Sequence, residues 1–395
     1  MTAFKKAVLF IHRWLGFISG LVVFIVSITG CLFCFQDEIQ DAMYSYRHVP
    51  VQTKPYLMPS QVRKLGEAKV SGGKAGLVTY MGADRPVIVR VNDAKKALHT
   101  LYFDPYSGKF LHDEDLRTNF FIIVEFIHLY LLLPVKIGKL VVGISVIIFV
   151  VLMITGLVLW WPKRKSDRKR SFTIKWNGRW RRVNYDLHNV LGFYATAIAI
   201  VLAITGLSFS FEWVNDGLYK AANLGRTYPN EKKEYHSDSL SKGHITSLPA
   251  VDVAYTYMRQ RSPQAQMYLL FEGAGSDGAL YGTAYARSLH FGHSDLYSFD
   301  QYTGKVLHFL PNAKKSAGLQ LNNLNYDIHV GQIAGLPGKI IAFLVSFISA
   351  SLPITGLIIW LGKRKKGTKT KKARNLSHKR AKAHVRSNPR NDIAQ

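Results

Sequence analysis

One stretch occurs twice in this chain and dictates most of what the chain can become. His12-Arg13-Trp14-Leu15-Gly16-Phe17 opens an apolar run that closes on Ile28-Thr29-Gly30, and His188-Asn189-Val190-Leu191-Gly192-Phe193 opens one that closes on Ile204-Thr205-Gly206. The two copies keep the same spacing without a gap. The same closing triplet recurs at Ile154-Thr155-Gly156 and Ile354-Thr355-Gly356, each time running on to a tryptophan, Trp160 and Trp360. A histidine fixed at the same depth in two apolar runs is the fact to explain.

A mean hydropathy near zero, +0.03, hides a block pattern. The apolar residues are concentrated in segments at roughly 8–35, 137–161, 190–211 and 338–361. Each is close to the ~20 residues that a hydrocarbon core of ~30 Å requires, so four membrane spans are expected. Lys5, Lys6 and Arg13 flank the first span as they would a signal peptide, but the apolar run is long and continues into Phe35-Gln36-Asp37-Glu38 with no small-residue cleavage site. An uncleaved anchor is expected.

The formal charge of +27 is localised. Residues 1–13, 162–182 and 362–395 hold 26 of the 52 basic residues against only Asp167 and Asp392, whereas 37–119 and 212–323 are nearly balanced. Alternating spans put the three basic segments on one side, the positive-inside pattern. Both termini are therefore expected in the cytoplasm, in a multi-pass membrane protein. The basic tail reads as a solvated stretch near anionic membrane lipid rather than a nucleic-acid partner. Cys31 and Cys34 share a helix face, but nothing around them has the strand and helix of a thioredoxin-like redox site, so packing is their expected role.

Taken in order, span 1 occupies 1–36 and a first outer domain 37–119. An interfacial segment with span 2 follows at 120–161, then a basic loop at 162–187. Span 3 at 188–211, a second outer domain at 212–323, an interfacial segment with span 4 at 324–361 and a basic tail at 362–395 repeat the order. Each outer domain reads as a helix, Pro59 to Val70 or Leu248 to Arg261, followed by strands at Gly76 to Tyr80 and Val87 to Val91, or Met267 to Phe271 and Leu280 to Ala286. Each then carries the same hairpin, Phe103-Asp104-Pro105-Tyr106-Ser107-Gly108-Lys109 or Phe299-Asp300-Gln301-Tyr302-Thr303-Gly304-Lys305, ending in His112 or His308. The expected fold class is a helical membrane protein: four core spans in two parallel repeats, each with a small α+β outer domain, about a pseudo-two-fold axis along the membrane normal.

That axis makes the histidines a candidate site. His12 and His188 are symmetry mates near the inner face. His128 and His329 are mates near the outer face, one residue out of register, which one insertion in the intervening loop removes. Two imidazoles facing across an axis are what a six-coordinate haem requires, and ionisable residues in spans are functional candidates by default. Gly16 with Gly20, and Gly192 with Thr196, follow the inner histidines at helical spacing and would offer a flat surface to a macrocycle, or simply a close helix contact. Arg13 would neutralise a propionate, or snorkel to lipid. Glu125, Asp186 and Asp327 precede candidate ligands by two or three residues; they would fix the ring tautomer or serve as ordinary helix-terminus acids. His290 and His293 have the spacing of a metal pair without supporting carboxylates or thiolates. No protein acid, base or nucleophile forms a catalytic set.

The His-Arg-Trp-Leu-Gly opening, the Thr-Gly span ends, the Leu159-Trp160-Trp161-Pro162 exit and the Asp-x-Tyr-Ser/Thr-Gly-Lys hairpins resemble the PepSY-associated transmembrane family over about residues 5–365. The resemblance implies periplasmic PepSY-like outer domains and two b-type haems, with His12 and His188 on the inner haem iron and His128 and His329 on the outer. It also implies an oxidoreductase, a ferric-siderophore reductase passing electrons to a ferric siderophore or other periplasmic acceptor. Some relatives continue into a flavin reductase module; here a separate cytoplasmic, quinol or flavin donor is expected. Two other classes remain open: a membrane-anchored PepSY module that restrains a peptidase or envelope partner, and a transporter along the axis.

Overall fold

The computed structural model describes residues 2–162, 164–231, 233–241 and 247–386, without the side chains of 241 and 364–386. The expected basic tail at 362–395 thus lies mostly outside the described side chains, and 387–395 lies outside the described residues altogether. The helices are α1 (Ala3–Cys34), α2 (Gln36–Met43), α3 (Pro59–Lys69), α4 (Phe120–Tyr130), α5 (Val135–Trp160), α6 (Arg168–Phe172), α7 (Trp180–Asp186), α8 (Gly192–Ser210), α9 (Glu212–Ala222), α10 (Ala250–Arg261), α11 (Ala317–His329) and α12 (Gly335–Arg386). A π-helical turn, Leu187–Leu191, joins α7 to α8. Among the described residues four helical stretches are long and apolar enough to cross a membrane: Ala3–Cys34, Val135–Trp160, Trp180–Ser210 and Gln332–Lys363. Their boundaries fall close to the four apolar runs.

The chain divides into two compact units, one made of Met1–Ser27, Ser145–Ile200 and Phe347–Gln395, the other of Ile28–Ile144 and Val201–Ser346. In the first, the aromatic exit of α5 is pinned locally: Trp160 stacks on Phe193 at 3.8 Å and its Nε1 donates to the Ser171 carbonyl. In the second, Lys339 pairs with Glu38 at 2.7 Å and the Cys31 thiol donates to the Phe343 carbonyl; Cys31 and Cys34 are both buried and not joined to each other.

The second unit also contains one antiparallel sheet of eight strands: β1 (Lys74–Tyr80), β2 (Val87–Asn92), β3 (Leu98–Phe103), β4 (Phe110–Glu114), β5 (Met267–Glu272), β6 (Leu280–Arg287), β7 (His290–Phe299) and β8 (Val306–Leu310). Their order is β4-β3-β2-β1-β5-β6-β7-β8. Two separate sheets are expected from the sequence. Instead, β1 and β5 pair, from Leu77 opposite Phe271 to Tyr80 opposite Tyr268. The physical reason is the edge: each four-stranded meander would otherwise leave a row of unpaired backbone groups on its innermost strand.

Alternation drives the strands onto their core. Val87, Val89 and Val91 of β2 are fully buried while the residues between them are not. They pack with Val62 of α3, and Leu270 and Phe299 pack with Met258 of α10, in a single apolar cluster. The two helices are tied where Ser60 donates its backbone N–H, at 2.8 Å, and its hydroxyl to the Asp252 carboxylate. The two repeated hairpins owe their shape to turn chemistry. Asp104 Oδ1 accepts from the backbone of Tyr106 and Ser107, and Asp300 Oδ1 from Tyr302 and Thr303. Gly108 and Gly304 then adopt φ of 72° and 71°, which side-chain-bearing residues rarely tolerate.

The pairing of β1 with β5 is testable. Leu77→Cys with Phe271→Cys should form a disulfide on mild oxidation, because directly opposed residues in antiparallel strands bring their Cβ atoms to about 5 Å. After tryptic cleavage in the basic loop, the two halves should then run as one band on a denaturing gel without reductant; two bands would mean separate sheets.

Candidate functional site

The four candidate histidines are brought together in two pairs. In the first unit the rings of His12 and His188 have centroids 6.5 Å apart at an interplanar angle of 89°. In the second, His128 and His329 lie 6.1 Å apart at 68°. His12 comes from regular α-helix, whereas His188 sits in the π-helical turn before α8, a feature that recurs at functional sites.

Each ring is held by a threonine of an Ile-Thr-Gly triplet on another helix. Nδ1 of His12 bonds Thr155 Oγ1 at 2.9 Å, and Nδ1 of His188 bonds Thr355 Oγ1 at 2.9 Å. Nδ1 of His128 bonds Thr29 Oγ1 at 3.1 Å, and Nδ1 of His329 bonds Thr205 Oγ1 at 2.9 Å. The direction of these bonds follows from the hydroxyl. Thr155, Thr205 and Thr355 donate their single proton to the carbonyls of Val151, Val201 and Ser351 one turn back, at 2.8, 2.8 and 2.9 Å. The oxygen can therefore only accept from the ring, which makes Nδ1 the protonated nitrogen and leaves the Nε2 lone pair for a metal.

The glycine of each triplet lies against the ring, closely enough at Gly30, Gly206 and Gly356 that a side chain would crowd it, while at Gly156 the contact would be ordinary. A Cβ on Gly156, Gly356, Gly30 or Gly206 would meet the Cε1 of His12, His188, His128 or His329 at 3.5, 3.2, 3.3 and 3.0 Å respectively. Two further glycines shape the corners that deliver His128 and His329. After α4 the chain turns through left-handed Leu131 and Leu132 into α5, and Gly138 passes so close to Tyr130 that a Cβ would lie 2.3 Å from its carbonyl oxygen. After α11 it turns through Gly331, and a Cβ on Gly338 would lie 2.1 Å from the Gly331 carbonyl oxygen. The loops differ, with Pro134 in one and a 3-10 turn at Gln332–Ala334 in the other. That difference absorbs the one-residue offset between His128 and His329.

Asp186 and Asp327, left open between orienting a ring and serving as helix-terminus acids, are engaged away from the rings. Asp186 accepts from Arg182 Nε at 2.7 Å and from the Lys175 backbone N–H. Asp327 accepts from the backbone N–H groups of Phe291 and Gly292 and from Gln332 Nε2 at 2.6 Å. Glu125 is half-buried on α4, and burial raises its carboxyl above the usual range. Arg13 is exposed, over the rings of Phe10 and Trp14. A Cβ on Gly16 would meet nothing within 4 Å, whereas Gly20 and Gly192 face Pro353 and Leu352 of α12. His290 and His293 turn to the Ser288 carbonyl and to Asn312, and no cluster of three or more metal-ligating side chains exists among the described residues.

Sequence reasoning missed two sets of residues. The threonines were visible as a repeat without a partner. Asn184 and Asn325, each four residues before a candidate ligand, donate at 3.1 Å to the backbone carbonyls of Thr355 and Thr205 and so tie the histidine helix to the threonine helix.

A bound iron can be tested against these distances. A metal about 2 Å from a ring nitrogen that is itself about 1 Å from its ring centre puts two opposed centroids about 6 Å apart. Both pairs meet that requirement, and burial with the neighbouring His128 ring pulls His329 down to about 4, so it stands as the neutral imidazole that binds metal.

The spans, the sheet and the paired rings define a class: a multi-span membrane protein that brings histidines together in pairs. The family model for the PepSY-associated TM region matches residues 9–363, and the chain belongs to that family. No curated protein matches it.

Thr155→Val keeps the shape of the side chain but removes the acceptor from His12 Nδ1. Losing that half-buried bond costs about 1–1.5 kcal/mol, whereas Thr155→Ser keeps the oxygen and loses less than about 1 kcal/mol. Denaturant unfolding in detergent micelles should rank the three proteins in that order.

Proposed function

We propose that this protein is a haem b-dependent transmembrane electron conduit of the bacterial inner membrane, an oxidoreductase with both termini in the cytoplasm. The single observation that carries it is the pair of opposed imidazole couples, each with its ring locked through Nδ1 to a threonine. His12 and His188 would hold one haem iron, and His128 and His329 the other. When bound, haem supplies one-electron chemistry that no protein side chain here offers.

The chain's own contribution is positional. Thr155, Thr355 and Thr205 hold the rings of His12, His188 and His329 in one tautomer, so that ligation there needs no change of proton, and the glycines of the triplets let the rings lie against the neighbouring backbone. The corner glycines Gly138 and Gly338 fix the angle at which His128 and His329 arrive. Two parallel repeats, each contributing one histidine to every couple, account for the symmetry of the arrangement, and the PepSY-like strands would form the periplasmic face. A separate cytoplasmic, quinol or flavin donor would reduce the inner site. The acceptor, by likeness to reductases in the family, would be a ferric siderophore: reduction to Fe(II) weakens hard-oxygen chelation and frees the metal.

The test is an absorbance spectrum of detergent-purified protein, oxidised and then reduced with dithionite, with a pyridine haemochrome assay. Sharp low-spin b-type bands and about two haems per chain are expected. His12→Ala and His128→Ala should each lower the stoichiometry to about one. A protein that carries no haem and takes up none would instead leave a membrane-anchored PepSY module that restrains a peptidase or envelope partner.

A further inference from the structure

A cleft of about 680 Å³ in the first unit is lined by Arg170 of α6 and by Arg179, Trp180, Arg181, Arg182 and Tyr185 where α7 begins. Its walls are built, although its residues are mostly exposed. Asp186 fixes one side by gathering Arg182 Nε and the Lys175 backbone. The other side is held by α6, whose last residue, Phe172, packs edge-on against Trp160 at 5.0 Å and accepts at its carbonyl from the Tyr194 hydroxyl. Asp186 is taken up by Arg182, and among the described residues Arg170, Arg179 and Arg181 have no acidic partner.

The lining has one chemical character. Four guanidinium groups offer donors, Trp180 and Tyr185 offer aromatic faces, and neither a carboxylate nor a side-chain amide is present. Planar guanidinium forks match the oxygens of a phosphate. A nucleotide would also need acceptors for its base amino group or ribose hydroxyls, and among its side chains this lining has only the tyrosine hydroxyl. The cleft lies at the start of the Trp180–Ser210 helix, before its apolar run, with Trp176 and Trp180 71% and 64% exposed. Exposed tryptophans at such a position mark the headgroup level of a bilayer.

We propose that this cleft binds the phosphate of an anionic phospholipid, with the arginines on the phosphate oxygens and Trp180 and Tyr185 against the glycerol and the upper acyl chain. The site is independent of the histidine couples. It would hold the α6–α7 segment against the membrane by a specific lipid rather than by diffuse charge alone.

The full chain, purified in detergent, would be titrated with phosphatidylglycerol, phosphatidylcholine or inorganic phosphate, and retained ligand counted by native mass spectrometry. Phosphatidylglycerol should be retained and phosphatidylcholine should not. Each arginine near an anionic lipid contributes roughly a fivefold gain, so Arg179→Gln with Arg181→Gln should weaken retention about twenty-five-fold. Lys165→Gln with Arg168→Gln, the same charge change in the same segment but outside the lining, should leave it unchanged. Equal loss in both double variants would reduce the cleft to general surface charge and overturn the proposal. So would inorganic phosphate or ADP displacing the lipid at equal concentration, which would make it a site for a soluble ligand. Should the glutamine pair fail to fold, Arg179→Lys with Arg181→Lys keeps the charge but loses the fork; several-fold weaker retention supports the site, and unchanged retention overturns it.

Discussion

The bond between a threonine hydroxyl and an imidazole Nδ1 is the interaction on which the rest of the helical arrangement depends. It is a modest bond individually, but its partners are at least half-buried, and a donor stranded away from water is expensive. The hydroxyl proton of Thr155, Thr205 and Thr355 is committed to its own helix, so the orientation of the helix backbone dictates the chemical form of a ring on another helix. Each of the four rings is tied in this way to a helix other than its own.

The His128–His329 couple is also fastened to the sheet. Asp327 sits two residues before His329 and clamps the backbone of Phe291 and Gly292 at the start of β7. A Cβ on Gly292 would lie 3.0 Å from the Asp327 carboxylate and 2.2 Å from Leu324, so α11 and β7 can approach this closely only at a glycine. Whatever docks on the strands is thereby joined, through α11, to the residue that carries the ring.

Spans, strands and hairpins were legible because local patterns determine them: apolar length for the helices, period-two burial for β2, and Asp with a left-handed glycine for the turns. The pairing of histidines was legible only through repetition, since matched spacing implied an axis and an axis implied facing rings. What escaped was non-local. Nothing near Thr29 or Thr205 says that the hydroxyl serves a ring about a hundred residues away, and Asp327 looked like a natural orienting acid until β7 arrived to claim it. The edge-to-edge join of β1 and β5 was equally hidden, because strand patterns report which face is buried but not which edge is free.

That join imposes an order on biogenesis. About 190 residues separate the end of β1 from the start of β5, and at synthesis rates of about 5–20 residues per second β1 waits roughly 10–40 s for its partner while two further spans are inserted. Through that interval the first meander stands with its inner edge bare, open to proteases and to the same strand of a neighbouring nascent chain. Crowding of this protein during membrane insertion is therefore where misassembly would begin, as exchange of half-sheets between molecules rather than as unfolding of a finished one.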